Sequence, residues 1–411
     1  MGQERDGAMR GLVRRLAAVL GVPALCVMTG CAGFWVYPGT AKSSTGTGST
    51  AGDYVYVANY NSLSISGFAV GSTGALSPTT GSPVSLNVAP TAMVVNPADS
   101  LLFVSVNGGI YSYSIGTGGV LTAQTSGYSS GLGDVVSMDV SPDGQWLIAL
   151  GPVITTSNDV TLYVFAINSS TGALTSQTGV GGQTYNITGS APIAQALKVA
   201  SLSLNGNSNG EDVFVALGTA GDLIIPFNTT TGTLASSIGA PISIPSGYPA
   251  NSSDNALAIN PSTSTLYVAR SKTTSYNGEL DVYSITSSGG YLLQATAKTG
   301  VMPSAVALNT AGTNVYVANT TGGTISGFST TVTAVTGSSG VLPELSGSQY
   351  SSGAGVNGLA ADKSGDYLLA ITKGELPGLS MYSYDSTTSG ALDPAASATT
   401  GTLPYAIAVT H

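Results

Sequence analysis

Two stretches of this chain, 260 residues apart, are nearly the same: residues 54–69 read YVYVANYNSLSISGFA and residues 314–329 read NVYVANTTGGTISGFS, with nine of sixteen positions identical. A chain that repeats a segment over such a distance is built of units, and the unit period constrains its architecture more than any other feature. The pattern within VYVAN, alternating apolar residues followed by a small one, occurs seven times, at 55–58, 102–105, 147–149, 213–216, 266–269, 315–318 and 368–370. The small residue is Ala58, Ser105, Ala149, Ala216, Ala269, Ala318 and Ala370, at spacings of 47, 44, 67, 53, 49 and 52 residues.

Other elements recur in phase. A second strand pattern follows each copy, as in SISGF (64–68), LDVYSI (280–285) and TISGF (324–328). A turn of the form TG-x-L comes next, with glycine at 74, 119, 172, 232, 290, 340 and 390. Glycine there supplies the positive φ of a tight hairpin, and a weaker strand follows. Every copy but the first is preceded by another apolar strand: 91–96, 136–141, 200–205, 256–260, 304–309 and 358–362. One spare strand, YAIAV (405–409), stands at the C-terminus. Seven four-stranded units of about 50 residues, with the missing first strand supplied from the chain's end, predict an all-β, seven-bladed propeller closed by its C-terminal strand. Closure removes open strand edges. A linear solenoid has shorter repeats and no use for a displaced terminal strand.

Composition agrees. Only 8% of residues are charged and 42% are hydrophobic, with 55 glycines and 20 tyrosines; such a mixture favours strands and turns over helices. Residues 1–30 read as a separate segment. Arg5, Arg10, Arg14 and Arg15 precede the apolar run LAAVLGVPALCVM, which is too short to span a bilayer and has the layout of a secretory signal peptide. The run ends Met28-Thr29-Gly30-Cys31. These residues resemble a bacterial lipobox, which implies lipidation of Cys31; cleavage as an ordinary signal peptide is the other reading. Residues 31–52 read as a flexible tether and 53–411 as the propeller. Removing residues 1–30 leaves 7 basic against 18 acidic residues, a balance that repels nucleic acid.

The repeat units resemble the YVTN and lactonase-type propellers, a family that includes 6-phosphogluconolactonases and muconate-cyclising enzymes. The resemblance rests on VYVAN (315–319), SPDGQWL (141–147), TGAL (73–76, 171–174 and 389–392) and PSAVALN (303–309), and covers about 52–411. It implies the propeller fold and an activity on lactones. Enzymes of that family use a cluster drawing on His, Arg and Glu at the mouth of the central channel. Here the one histidine is His411 and the one arginine beyond residue 30 is Arg270, so that set does not carry over.

Aligned inner strands give two rows. One contains Met93, Met138, Leu202, Leu257, Val306, Leu359 and Ile407; the other contains Val94, Asp139, Ser203, Ala258, Ala307, Ala360 and Ala408. Asp139, the one charge in these rows, is either a channel carboxylate or is held by neighbouring backbone amides. Loops entering the inner strands and leaving the second strands share one face of a propeller, which places Asp134, Lys198, Asp254, Asn255, Asn59, Arg270 and Asn319 there as candidate ligand-binding residues. Arg270 either grips a carboxylate or phosphate ligand or pairs with Asp254. Asp139, Asp254 and Arg270 are the catalytic candidates for lactone opening, which needs a base and a donor for the developing oxyanion. The longer loops at 181–195 and 245–255 are candidate partner contacts.

Other chemistries find no support. No Cys/His cluster for zinc or haem and no Ser-His-Asp triad is available, so no metal and no cofactor is expected. Two functions remain. One is an exported, lactonase-like lipoprotein, anchored to a membrane and monomeric, that binds a ligand or an envelope protein or glycan with weak or no catalysis. The other is a lactonase hydrolysing a sugar-acid lactone.

Overall fold

The computed structural model describes residues 52–411, apart from 125–127, 155, 180, 188–190, 203–209, 273–276, 287–288, 337–338 and 375. Seven separate antiparallel sheets form the blades. Their inner strands are Pro404–Val409, Pro90–Val95, Ser137–Val140, Ala196–Ala200, Ser253–Asn260, Pro303–Leu308 and Val356–Ala361 for blades 1 to 7. Each inner strand contacts the next, and the last contacts the first, so the seven stand in a ring. The C-terminal strand completes blade 1 by pairing with Tyr54–Asn59, Ala58 opposite Ala406 and Val57 opposite Ile407. Thr410 fastens this seam: its N–H donates to the Tyr54 carbonyl at 3.0 Å, and its Oγ1 accepts from the Tyr54 N–H at 2.9 Å.

The repeated stretch is explained by side chains. Tyr56 lies opposite Gly67 and Tyr316 opposite Gly327 on adjacent strands. Each ring packs over its glycine, where a Cβ would come within 3.2 Å of the tyrosine. The bare glycine lets the ring lie flat, and its hydroxyl reaches the turn of the following blade: Tyr56 donates to the Gly119 carbonyl at 3.0 Å, Tyr316 to the Gly390 carbonyl at 2.6 Å. Trp146 plays the same part in blade 3, its Nε1 donating to the Thr229 carbonyl at 2.8 Å. Each such bond contributes about 1 kcal/mol net; fully burying the aromatic ring contributes more. The Asn of VYVAN is structural too. Asn59 Nδ2 donates to Ser66 Oγ and Asn319 Nδ2 to Ser326 Oγ, both at 3.0 Å.

Four details differ from the sequence expectation. The inner strand of blade 4 is Ala196–Ala200, not 200–205. The run ALKVASLSLN alternates throughout, and the lysine in its first half disguised the segment that is seated. Leu197 and Lys198 therefore take the places assigned to Leu202 and Ser203; Ser203 lies outside the described residues. Second, Ala149 and Ala370 do not share the place of Ala269. They face Met138 and Leu359, whereas Ala269 faces Ala256, one position further along. Third, the positive φ of the blade 5 turn falls on Gly289, and Gly340 instead begins a short strand that pairs in parallel with blade 5. The 181–195 stretch also carries a strand, Gln183–Asn186, on the edge of blade 3.

A test follows from the latch. Gly232 has φ +68, and a Cβ there would come within 2.2 Å of the Trp146 ring. Gly232→Ala is expected to cost about 2–4 kcal/mol, combining overpacking with left-handed strain, seen as a lower denaturation midpoint. Gly81→Ala (φ +81, open space around it) is the control and is expected to cost about 1 kcal/mol.

Candidate functional site

The channel end that carries the loops entering the inner strands opens into a cavity of about 520 Å³. Every blade contributes. One row of it is Thr91, Val136, Gln195, Asn255, Ser304, Asn357 and Tyr405, two residues before the Met93 row on the inner strands. Below that row Met93, Met138, Leu359 and Ile407 give an apolar floor. The Met93 and Met138 side chains pack between blades.

Two lysines line the cavity, from different elements. Lys198 is on the inner strand of blade 4, its side chain 49% exposed, with Nζ 3.7 Å from Asp139. Lys373 follows the second strand of blade 7, and its Nζ lies 4.2 Å from the centre of the Tyr405 ring. Burial pushes the Lys373 amine down from its ordinary value. Among the described residues Lys373 joins no salt bridge. Amides complete the polar lining. Asn357 Nδ2 donates to the Tyr405 carbonyl at 3.2 Å while its Oδ1 has no protein partner, and Asn255 Nδ2 donates to the Pro303 carbonyl at 2.8 Å. Among the described residues lining the cavity there is no carboxylate and no histidine.

Of the residues singled out in the sequence, Lys198 and Asn255 reach this cavity. Asp139 does not line it; the Asp139 carboxylate accepts from the Val140 N–H at 3.2 Å and the Val199 N–H at 3.0 Å, holding blade 3 to blade 4. Asp134 is exposed and accepts from Asn107 at 2.9 Å. Asn59 and Asn319 are fully buried. Lys373, Tyr405, Gln195 and Asn357 were missed: Tyr405 stands in the C-terminal strand and Gln195 in the 181–195 stretch, but each is ordinary in type and no motif marks it.

Arg270 and Asp254 are fully buried inside blade 5. Arg270 Nε meets Asp254 Oδ1 at 2.5 Å, Nη2 meets Oδ2 at 3.0 Å, and Nη1 pairs with Asp281. Tyr248, from the loop at 245–255, covers the guanidinium with its ring centre 5.0 Å from Cζ and donates to Glu279 at 2.7 Å. Burial opposes the guanidinium charge, but Asp254 and Asp281 outweigh it and Arg270 stays protonated. Asp222, also buried, lies against Asp254. Burial raises both carboxyls, Asp222 the further because Asp254 stands against it while Arg270 pulls on Asp254. Asp281 is pushed up to about 6 by burial, against the pull of Arg270. This cluster ties blade 4 to blade 5, and its burial closes it to a ligand from the channel cavity.

Two outcomes test this assignment. Arg270→Met strands two buried carboxylates and is expected to cost about 3–5 kcal/mol in denaturant unfolding, leaving binding at the cavity unchanged in molecules that remain folded. Glu211, buried beside Asp143, is pushed up to about 7, by burial first. A carboxyl raised on folding binds its proton in the native state before the unfolded one, so its contribution is full below about pH 4.5 and is lost as pH rises to about 7. Glu211→Gln is expected to flatten the fall in stability between pH 5 and 8 by about 1–2 kcal/mol, measured as urea midpoints.

A proposed 6-phosphogluconolactonase from Bacteroides fragilis matches with a TM-score of 0.65 at 14% identity, over 88% of this chain and 98% of that one. The periplasmic gluconolactonase PpgL of Pseudomonas aeruginosa matches with a TM-score of 0.61 at 14% identity, over 87% and 99%. The chain has the fold of the lactonase-like seven-bladed propellers. Hydrazine synthase of Kuenenia stuttgartiensis also matches, with a TM-score of 0.54 at 15% identity, over 80% and 92%, so this propeller form hosts unrelated chemistry. No family model and no curated protein matches the sequence.

Proposed function

We propose that this lactonase-like propeller is an exported binding protein that takes a small, anionic, hydroxyl-rich ligand into the channel cavity and does not hydrolyse it. One observation carries the reading: the cavity presents two lysines, amides and hydroxyls, with no carboxylate or imidazole among its described lining residues. Opening a lactone needs a base to activate water and a donor for the oxyanion. The amides and protonated lysines supply donors, which leaves the Lys373 amine, pushed down by burial, as the one group of this lining that could serve as a base. A lysine ammonium in a half-enclosed polar cavity attracts an anion, and Lys373, joined to no carboxylate, is the better placed of the two. Lactone hydrolysis, the second reading, is favoured by the descriptions of two fold neighbours. Export is supported by the basic start, the apolar run and Met28-Thr29-Gly30-Cys31, all outside the described residues; one fold neighbour is described as periplasmic.

Calorimetry with gluconate, 6-phosphogluconate and glucose tests the binding. The two anions are expected to bind and glucose not. Lys373→Ala is expected to weaken the anions about tenfold or more and Lys198→Ala less, because Asp139 already offsets its charge. Equal binding of glucose and gluconate, or an unaffected Lys373→Ala, would sink the proposal. For the anchor, Cys31→Ser is expected to move the protein from the membrane fraction to the soluble fraction of its host; retention in the membrane would refute lipidation there.

A further inference from the structure

We infer that the ligand is the acidic terminal sugar of an otherwise neutral carbohydrate chain, its acid group beside Lys373 and its neighbouring sugar laid on a tyrosine pair at the cavity rim. This rests on the anion-binding reading of the same cavity and goes beyond it. Tyr405 lines the cavity and carries Lys373 over its ring. Tyr60 stands beside it, ring centres 5.5 Å apart and planes at 36°. Both are exposed, at 38% for Tyr60 and 39% for Tyr405, unlike the fully buried tyrosines that lock the blades. Two adjacent exposed rings at a cavity edge form a flat apolar surface, and a ring's negative face suits the C–H face of a sugar. The pair is also fixed in place: Tyr60 N–H donates to the Leu403 carbonyl at 2.9 Å, across the seam that closes the propeller.

Size and charge narrow the ligand. At about 30 Å³ per water, a 520 Å³ cavity corresponds to about seventeen waters, more room than one hexose acid fills. The chain as a whole carries a net charge of -9, so a polymer acidic along its length would be repelled outside the cavity. A single acidic end on a neutral chain avoids that repulsion and places its charge where the lysines are.

The test uses the full-length protein, with glucuronic acid, the disaccharide glucuronyl-glucose and neutral cellobiose as calorimetric probes. The disaccharide is expected to bind about tenfold tighter than glucuronic acid, a gain of the size expected for one added stacking contact, with cellobiose not binding. Tyr60→Ala is expected to abolish that advantage and leave glucuronic acid unchanged; Tyr60→Phe is expected to keep it, because the ring and not the hydroxyl makes the contact. Lys373→Ala is expected to weaken both acids. Equal affinities for the two acids, or a Tyr60→Ala variant that keeps the advantage, would overturn the inference while leaving anion binding intact. Failure of both acids to bind would overturn the inference and the anion-binding reading together.

Discussion

The pairing of Pro404–Val409 with Tyr54–Asn59 is the contact on which the rest depends. Without it, blade 1 lacks an inner strand, two strand edges lie open, and the circle of inner strands has a gap. The seam also assembles the site. Tyr405 belongs to the closing strand, Tyr60 follows the strand it closes upon, and Lys373 of blade 7 leans on Tyr405. Long-range closure of this kind is slow to form, because the loop entropy of nearly the whole chain is lost before its contacts form. The latches between adjacent blades, formed by Tyr56, Trp146 and Tyr316, hold each neighbour in place around the ring.

Much of the fold was legible because a propeller writes its period into the sequence. VYVAN and ISGF occur together in blades 1 and 6 because in both Tyr lies over Gly and Asn meets Ser. Legibility failed where the pattern was too good: ALKVASLSLN offers two alternating runs, and alternation cannot say which is seated. Ala149 and Ala370 misled for a related reason. A short hydrophobic run with one small residue can slip by one position against its neighbours, and only strand pairing fixes the register.

The site was far less legible. Arg270 drew notice as a lone arginine, yet rarity says nothing about direction. Its strand position points it into blade 5, where Asp254 and Asp281 meet it. Asp139, rare among small neighbours, holds backbone amides instead of facing the cavity. Lys373 sits in a loop with no pattern around it, and only the ring geometry brings it above Tyr405. Two groups of charges therefore matter here: Arg270 with Asp254 and Asp281, buried and structural, and the two lysines of a cavity whose described lining holds no carboxylate. That division is the physical basis for reading the channel as a binding site.

The most direct measurement is hydrolysis of glucono-1,5-lactone by the full-length protein near neutral pH, with spontaneous ring opening subtracted. A cavity with no carboxylate or imidazole among its described lining residues predicts no turnover above background, in the native protein and in Lys373→Ala alike. Saturable turnover that disappears in Lys373→Ala would contradict this, for it would place a working catalytic centre in a cavity that, on the present reading, can only bind.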